Sequence, residues 1–248
     1  MENKSHHHNQ HLDSPPAPSR EKVWLMFNRI AGKYDLLNHL FSLGFDLHWR
    51  KKVNRYLPVG TNLSLLDLAT GTGDQLLSIL RRNQKIGRAV GMDMAVDMLA
   101  IARKKVERTK LDKNVEFVTG DAGKINFPEN TFDAVTISFG IRNFINLENS
   151  LSEIRRVLKP SGRLLILEFS IPENKLARWL HLFYLRKILP VIGSWISGDK
   201  YAYRYLNQTI ETFPYGEAFC SLLTRCDFTD VRAMPMTFGV VTLYQAEK

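Results

Sequence analysis

Five short apolar runs, most of them separated by helical patterns, constrain this chain more than anything else in it. They occupy residues 63–68, 88–92, 115–118, 132–137 and 163–167. Runs of this length and composition, bounded by turn residues, read as strands buried on both faces. Residues 75–82, 96–108 and 147–158 carry helical spacing, with Met98, Leu99, Ala102 and Val106 on one apolar face. Strand and helix alternating at this spacing imply right-handed crossovers and a parallel sheet with helices on both faces. Two late runs, 228–234 and 238–244, are parted by Pro235 and a short connection and read as a closing pair of strands. The expected fold is α/β: a Rossmann-like, mostly parallel seven-stranded sheet with a C-terminal antiparallel strand.

Around this core lie three other regions. Residues 1–19 are polar and Pro-rich, with His6, His7, His8 and His11, and read as a disordered tail rather than a metal site or signal peptide. The remaining 20–248 form one domain. Within it, 20–60 is helical, with Trp24, Phe27, Ile30 and Tyr34 at three- and four-residue spacing, and Gly32 and Gly44 are expected to break it into short helices. Its place before the first strand suits a lid. Residues 174–213 form a helical insertion whose apolar positions are interrupted by Arg178, His181, Arg186 and Lys187. It is too charged to span a bilayer. It reads either as core or lid packing or as an interfacial helix with a basic face, with Pro190 and Gly193 ending its first section.

The net charge of +9 is compatible with an anionic membrane surface, a nucleic acid, or a merely basic surface; no basic-aromatic nucleic-acid module is visible. Cys220 and Cys226 have neither zinc nor redox spacing and read as packing residues in a reducing compartment. That points to a cytoplasmic protein.

In a doubly wound sheet, ligands bind beyond the carboxyl ends of the strands. The first strand runs into Ala69-Thr70-Gly71-Thr72-Gly73-Asp74. A third glycine, which a dinucleotide fingerprint would need, is replaced by Leu76, and no G-x-x-x-x-G-K-[ST] loop occurs. The strand-glycine-helix context resembles the first motif of S-adenosylmethionine (SAM)-dependent methyltransferases. Asp93, after the second strand, can take both ribose hydroxyls, because a carboxylate accepts from two donors. Asp121 can accept from an adenine amine, and Ala122 leaves room for the ring; the alternative for Asp121 is a loop cap. After the fourth strand comes Ser138-Phe139-Gly140-Ile141-Arg142-Asn143. It lacks the [DNS]-P-P-[YF] motif of nucleic-acid amino-methylases, and no Pro-Cys exists for cytosine C5 chemistry. A small-molecule acceptor is the remaining reading.

From Val23 onward the chain resembles the ubiquinone/menaquinone biosynthesis C-methyltransferase family. Four blocks carry the likeness: Tyr34-Asp35-Leu36-Leu37-Asn38 through Ser42 to Trp49; the Leu65 to Asp74 loop; Arg156-Val157-Leu158-Lys159-Pro160-Ser161-Gly162 running to Glu168-Phe169-Ser170; and Tyr203-Arg204-Tyr205-Leu206 with the later Gly239-Val240-Val241. The family usually has Met at Leu37, His at Asp46 and Gly at Ser161. The resemblance implies methyl transfer from SAM to a ring carbon of a prenylated quinol. It implies SAM binding at Thr72, Asp93, Asp121, Ala122 and Ser138, joined by Gly71, Gly73 and Tyr34, and no metal. Arg142 is the expected oxyanion stabiliser, with a loop-anchoring ion pair as its alternative. Asn143 would orient the ring oxygen, and Tyr201, Tyr203, Arg204 and Tyr205 would wall the pocket. A prenylated acceptor implies peripheral contact at the inner face of a membrane. A homodimer or a quinone-synthesis complex stays open, as do an O- or N-methyltransferase and a non-catalytic SAM-binding scaffold.

Overall fold

The computed structural model describes residues 20–248 apart from 83–84, 112–113 and 192–199, with only the backbone described for Glu21 and 200–204. The histidine-bearing tail, Gly193 and the side chains of Tyr201, Tyr203 and Arg204 therefore lie outside the described residues. Seven strands form one sheet: β1 (Leu63–Leu68), β2 (Ile86–Asp93), β3 (Val115–Thr119), β4 (Phe132–Ser138), β5 (Leu158–Phe169), β6 (Thr229–Met236) and β7 (Val241–Glu247). Their spatial order is β3-β2-β1-β4-β5-β7-β6. The first five pair in parallel, and β7 runs antiparallel to both β5 and β6.

The order reverses at β1, which pairs with β2 on one side and β4 on the other. The connections leaving β1 and β4 diverge to opposite sides of the sheet, so the carboxyl ends of these two strands flank a crevice. The strands hold it rigidly because they are apolar on both faces. Leu65, Leu66, Val135, Leu164, Leu165, Ile166 and Leu167 are all completely buried. Each such side chain contributes about 1.5–3 kcal/mol by leaving water. The helices α3 (Asp74–Leu80), α4 (Val96–Thr109) and α5 (Leu147–Val157) supply the covering layers. In α5 the apolar Leu151, Ile154 and Val157 recur at helical spacing and face the sheet, while Asn146 caps the helix by accepting from the Asn149 N–H at 3.0 Å.

Two expectations are corrected. Gly32 does not divide the N-terminal region: α1 runs unbroken over Val23–Phe41, and only Gly44, at φ +77°, separates it from α2 (Phe45–Val53). Gly32 sits in open space, so it costs the helix about 1 kcal/mol relative to alanine without distorting it. Nor does Pro190 end its helix. After α6 (Lys175–Phe183) the chain continues through a π-turn at Tyr184–Ile188 and stays helical past Pro190. Proline lacks an N–H and crowds the carbonyl one turn earlier. The wider π-turn immediately before it relieves that clash. The strands also extend beyond the sequence limits, most of all β5, which takes in Leu158 across a register shift near Pro160-Ser161-Gly162.

α7 (Lys200–Thr212) and α8 (Glu217–Arg225) follow. α1, α2, α6 and α7 gather over the carboxyl ends of the strands. Leu37 of α1, Leu185 and Leu189 of the α6 extension, and Ile210 of α7 share a separate apolar cluster there. These helices thus build a second small core stacked on the sheet end.

Candidate active site

Two recesses meet beneath α1. The first lies over the ends of β1, β2 and β4, and Gly71, Asp93, Asp121, Ala122, Ser138 and Asn143 line it. Met92, Met98, Phe144 and Ile145 give it apolar walls, and Val23, Trp24, Phe27 and Tyr34 of α1 cover it. The second is an apolar cavity of about 270 Å³ between α1, α2, the α6 extension and α7. Phe27, Tyr34 and Phe139 line both, so these three rings form the partition.

The glycine loop is built for close approach. Gly71 (φ +55°) lines the first recess, and its N–H donates to Asp93 Oδ2 at 2.8 Å. Asp93 Oδ1 accepts the Ala95 N–H at 2.8 Å. Burial raises the Asp93 carboxyl above its ordinary value, opposed by these backbone bonds. Each oxygen keeps a second lone pair, which is what a diol needs. Asp121 Oδ1 accepts the Gly123 N–H at 2.9 Å as a loop cap, and the residue lines the recess beside Ala122.

Thr72 and Gly73 do not line this recess. Thr72 is 2% exposed, and its hydroxyl donates to Asp35 Oδ1 of α1 at 2.5 Å. Lys105 of α4 bridges Asp35 and Asp74, its bond to Asp74 Oδ1 being 2.7 Å. Gly73 (φ +82°) starts α3, and a Cβ there would stand 3.1 Å from Ala102 Cβ. These two residues fasten the lid and seat α3 on α4. Ser138 lines the recess while its hydroxyl donates to Gln75 Oε1 at 3.0 Å.

Ala69 (φ +49°) and Phe139 (φ +61°) end β1 and β4 in the left-handed region. Such strain in non-glycine residues costs about 1–3 kcal/mol each and persists where the surroundings enforce it. Here it turns Phe139 across the crevice, so that its ring stands 4.6 Å from Phe169 and 6.2 Å from Trp49.

Arg142 and Asn143, adjacent in sequence, face different recesses. Asn143 lines the first, and its Oδ1 accepts from the Tyr205 hydroxyl at 3.1 Å. Arg142 lines the apolar cavity and is 5% exposed. Its Nη1 donates to Glu168 Oε1 and to the Phe139 carbonyl, both at 2.6 Å. The ion-pair role weighed for it is therefore realised, on a completely buried carboxylate. Arg142 Nε and Glu168 Oε2 are buried with no hydrogen-bond partner.

Sequence reasoning passed over three other polar residues of the cavity. Arg50 is 6% exposed and lies 5.2 Å from the centre of the Phe139 ring. Asp46, seen only as a departure from the family pattern, is 2% exposed. Its place on one face of α2 with Trp49, Arg50 and Val53, all buried and three, four and seven residues on, was the available signal. His181, grouped with the basic interruptions of α6, faces inward and lines the cavity. Burial pushes it down to about 4, so it is neutral near pH 7, and its Nε2 has no partner. Burial likewise raises the Tyr34 phenol, outweighing its bond to Asn38 and the charges of Arg142 and Arg50. Tyr34 thus keeps its proton.

A switch-point crevice with a glycine loop, an acidic residue ending β2 and an antiparallel final strand defines a SAM-dependent methyltransferase. Among solved structures of this fold, a SAM-dependent methyltransferase from Thermotoga maritima, titled a possible histamine N-methyltransferase, superposes with a TM-score of 0.64 over 91% of this chain and 99% of its own, at 18% identity. The [4+2]-cyclase SpnF superposes with a TM-score of 0.63 over 94% and 97%, at 17% identity. Fold alone does not fix the reaction. The model of the ubiE/COQ5 methyltransferase family matches residues 17–248, and the chain belongs to that family. It is 39% identical over 228 residues to a demethylmenaquinone methyltransferase of Bacteroides fragilis, covering 92% of this chain and 93% of the relative. It is 43% identical to the Thermus thermophilus enzyme of the same name, covering 90% and 100%. A ubiquinone/menaquinone biosynthesis C-methyltransferase of Geobacter sulfurreducens is 40% identical, covering 92% and 89%.

Proposed function

We propose that this enzyme transfers the methyl group of SAM to a ring carbon of a prenylated quinol bound in the apolar cavity. The carrying observation is the junction of the two recesses. A cavity walled by Trp49, Phe139, Phe169, Leu185 and Leu189 adjoins the first recess at the Phe27, Tyr34 and Phe139 partition. An aromatic acceptor with an aliphatic tail fits those walls. The first recess suits the donor. Asp93 would take the ribose hydroxyls, Gly71 lets backbone approach, and Asp121 and Ala122 would receive the adenine edge. Tyr34, Ser138 and Asn143 would complete the contacts. SAM supplies an electrophilic methyl group and leaves as a neutral thioether.

The protein's task is to align the acceptor carbon with that methyl and to make the carbon nucleophilic. A quinol carbon gains electron density when its hydroxyl becomes an oxyanion. Arg142 and Arg50 are cationic at any working pH and border the cavity, where low dielectric strengthens their field. Arg142 Nε, lacking a partner, is the donor such an oxyanion would take. Tyr205, held through Asn143, links the two recesses.

The tail needs an exit. Leu176, Trp179, Leu180 and Phe183 of α6 are exposed, with Trp179 and Phe183 stacked 5.8 Å apart. Leu43, Phe45 and Leu47 are exposed at the α1–α2 turn. Tyr184 ties these elements together by donating to the Phe41 carbonyl at 3.0 Å. Among the described residues no helix is long and apolar enough to cross a membrane. An apolar patch flanked by Lys175, Arg178, Arg186 and Lys187 suits the surface of an anionic membrane.

Mass spectrometry of quinones from cells lacking this chain tests the reading. A prenylated quinone 14 mass units short, made whole by purified enzyme with SAM, is the expected result. Its ring identifies a naphthoquinol or a benzoquinol acceptor. An unchanged quinone pool would refute it.

A further inference from the structure

Forming the oxyanion requires a proton acceptor, and the arginines facing the cavity cannot serve as one. Burial keeps Tyr34 protonated, and His181 Nε2, though His181 lines the cavity, is a buried atom with no hydrogen-bond partner. Glu168 borders the site only through Arg142 and the Phe169 N–H, which donates to its Oε1 at 2.9 Å. The carboxylate that lines the cavity itself is Asp46. We infer that Asp46 is the base that takes the acceptor's hydroxyl proton, with His39 and Ser42 as the residues that position it. This rests on the quinol reading above.

The geometry is that of a held carboxylate. Asp46 Oδ2 is 2.8 Å from His39 Nδ1 on α1, and Oδ1 accepts the Ser42 hydroxyl at 2.7 Å. Arg50 Nε stands 3.9 Å from Oδ2, close enough to feel its charge but without a hydrogen bond. The two bonds use half of the carboxylate's acceptor capacity and fix its plane. Asp46 is 2% exposed, so its unshared lone pairs look onto the cavity and not onto bulk water. His39 and Ser42 belong to the lid, whereas Arg50 follows Asp46 by one turn of α2. The base is therefore complete only when α1 and α2 are packed together.

The quinol O–H bond breaks and its proton forms an O–H bond on Asp46. The oxyanion's electron pair moves into the ring, the ring carbon bonds to the methyl, and the S–CH3 pair stays on sulfur. The ring carbon then loses its hydrogen to water, and the ring regains aromaticity as an oxyanion. Asp46 returns its proton to that oxygen. One proton is released per turnover, and the carboxylate is regenerated.

The test compares Asp46→Asn with wild type on two quinols, one ordinary and one carrying a ring halogen that acidifies the hydroxyl. A general base contributes about 10²–10⁴-fold. The expected loss in kcat is therefore at least about 100-fold on the ordinary quinol and under about 10-fold on the acidic one. KM and SAM affinity should stay near wild type. Equal losses on both acceptors, or ordinary turnover within threefold of wild type, would overturn the assignment. Should Asp46→Asn fail to bind SAM, His39→Gln and Ser42→Ala take its place. Each should show a smaller loss that again shrinks on the acidic quinol, and Asp46→Glu should restore part of kcat. A wild type that methylates neither acceptor removes the quinol reading and this inference with it. A wild type that methylates both while Asp46→Asn keeps pace removes the inference alone.

Discussion

Replacing Arg142 by alanine does two separable things. The side chain is 5% exposed and its partner Glu168 is completely buried, with only the Phe169 N–H left to hold its carboxylate. Removing one partner of such a pair leaves an uncompensated buried charge and costs about 3–5 kcal/mol. At 1.4 kcal/mol per tenfold, that lowers the folding constant by a factor of about 10² to 4 × 10³. Against the roughly 5–15 kcal/mol total of a typical domain, Arg142→Ala would unfold readily above room temperature. A loss of activity from that variant alone would therefore say little about chemistry. Arg142→Met combined with Glu168→Leu removes both charges and refills the volume. Buried pairs exchanged for apolar residues are commonly neutral to stabilising. The double variant is expected within about 1 kcal/mol of wild type in urea denaturation followed by circular dichroism. Its single-turnover methyl transfer should stay depressed by about 10²-fold or more, the scale of one lost oxyanion donor. Denaturation must be run without SAM, because ligand at 100 times its Kd adds about 2.7 kcal/mol and masks the effect. Arg142→Ala costing under about 1 kcal/mol would refute the buried-pair argument. A double variant that turns over at the wild-type rate would refute the electrostatic role.

Asp93→Ala should weaken SAM by about 100-fold in isothermal titration, equivalent to about 3 kcal/mol of charge-assisted hydrogen bonding; unchanged affinity would sink the ribose assignment. Two buried groups give stability opposite pH slopes. Burial pushes Asp67, despite its bonds from Thr136 and Thr70, up to about 6, so folding loses about 3 kcal/mol as pH rises from 4 to 6. His181 is pushed down to about 4, so its contribution is whole above pH 6.5 and falls by about 3 kcal/mol as pH drops to 4. The two should offset in wild type. His181→Phe should therefore gain stability over wild type as pH falls through this window, and Asp67→Asn should lose it; parallel pH curves for all three proteins would contradict the argument.

The sheet was legible in the sequence because parallel strands buried on both faces are near-continuous apolar runs, and β1, β4 and β5 are that. The Asp93 and Asp121 positions followed from strand ends alone. Helix ends were harder. Gly32 and Pro190 looked like breaks, yet tertiary packing carried α1 through the glycine and a π-turn carried the chain past the proline. The acceptor cavity was the least legible part. Its polar residues, Asp46, Arg50 and His181, are inward members of otherwise charged helical stretches, so composition did not single them out. Within the glycine loop the motif does not show the division of contacts: Gly71 lines the donor recess, Thr72 bonds to Asp35 of α1 and Gly73 packs on Ala102 of α4.

One consequence follows from α1 serving both recesses. Its N-terminal half covers the donor, and its C-terminal half, with Tyr34 between, roofs the acceptor. A donor entering beneath Trp24 and Phe27 needs this helix displaced, and displacing it dismantles the acceptor's wall. The kinetics should therefore be sequential and ordered, with SAM first on and the demethylated thioether last off. In product-inhibition experiments that thioether should be competitive with SAM and noncompetitive with the quinol.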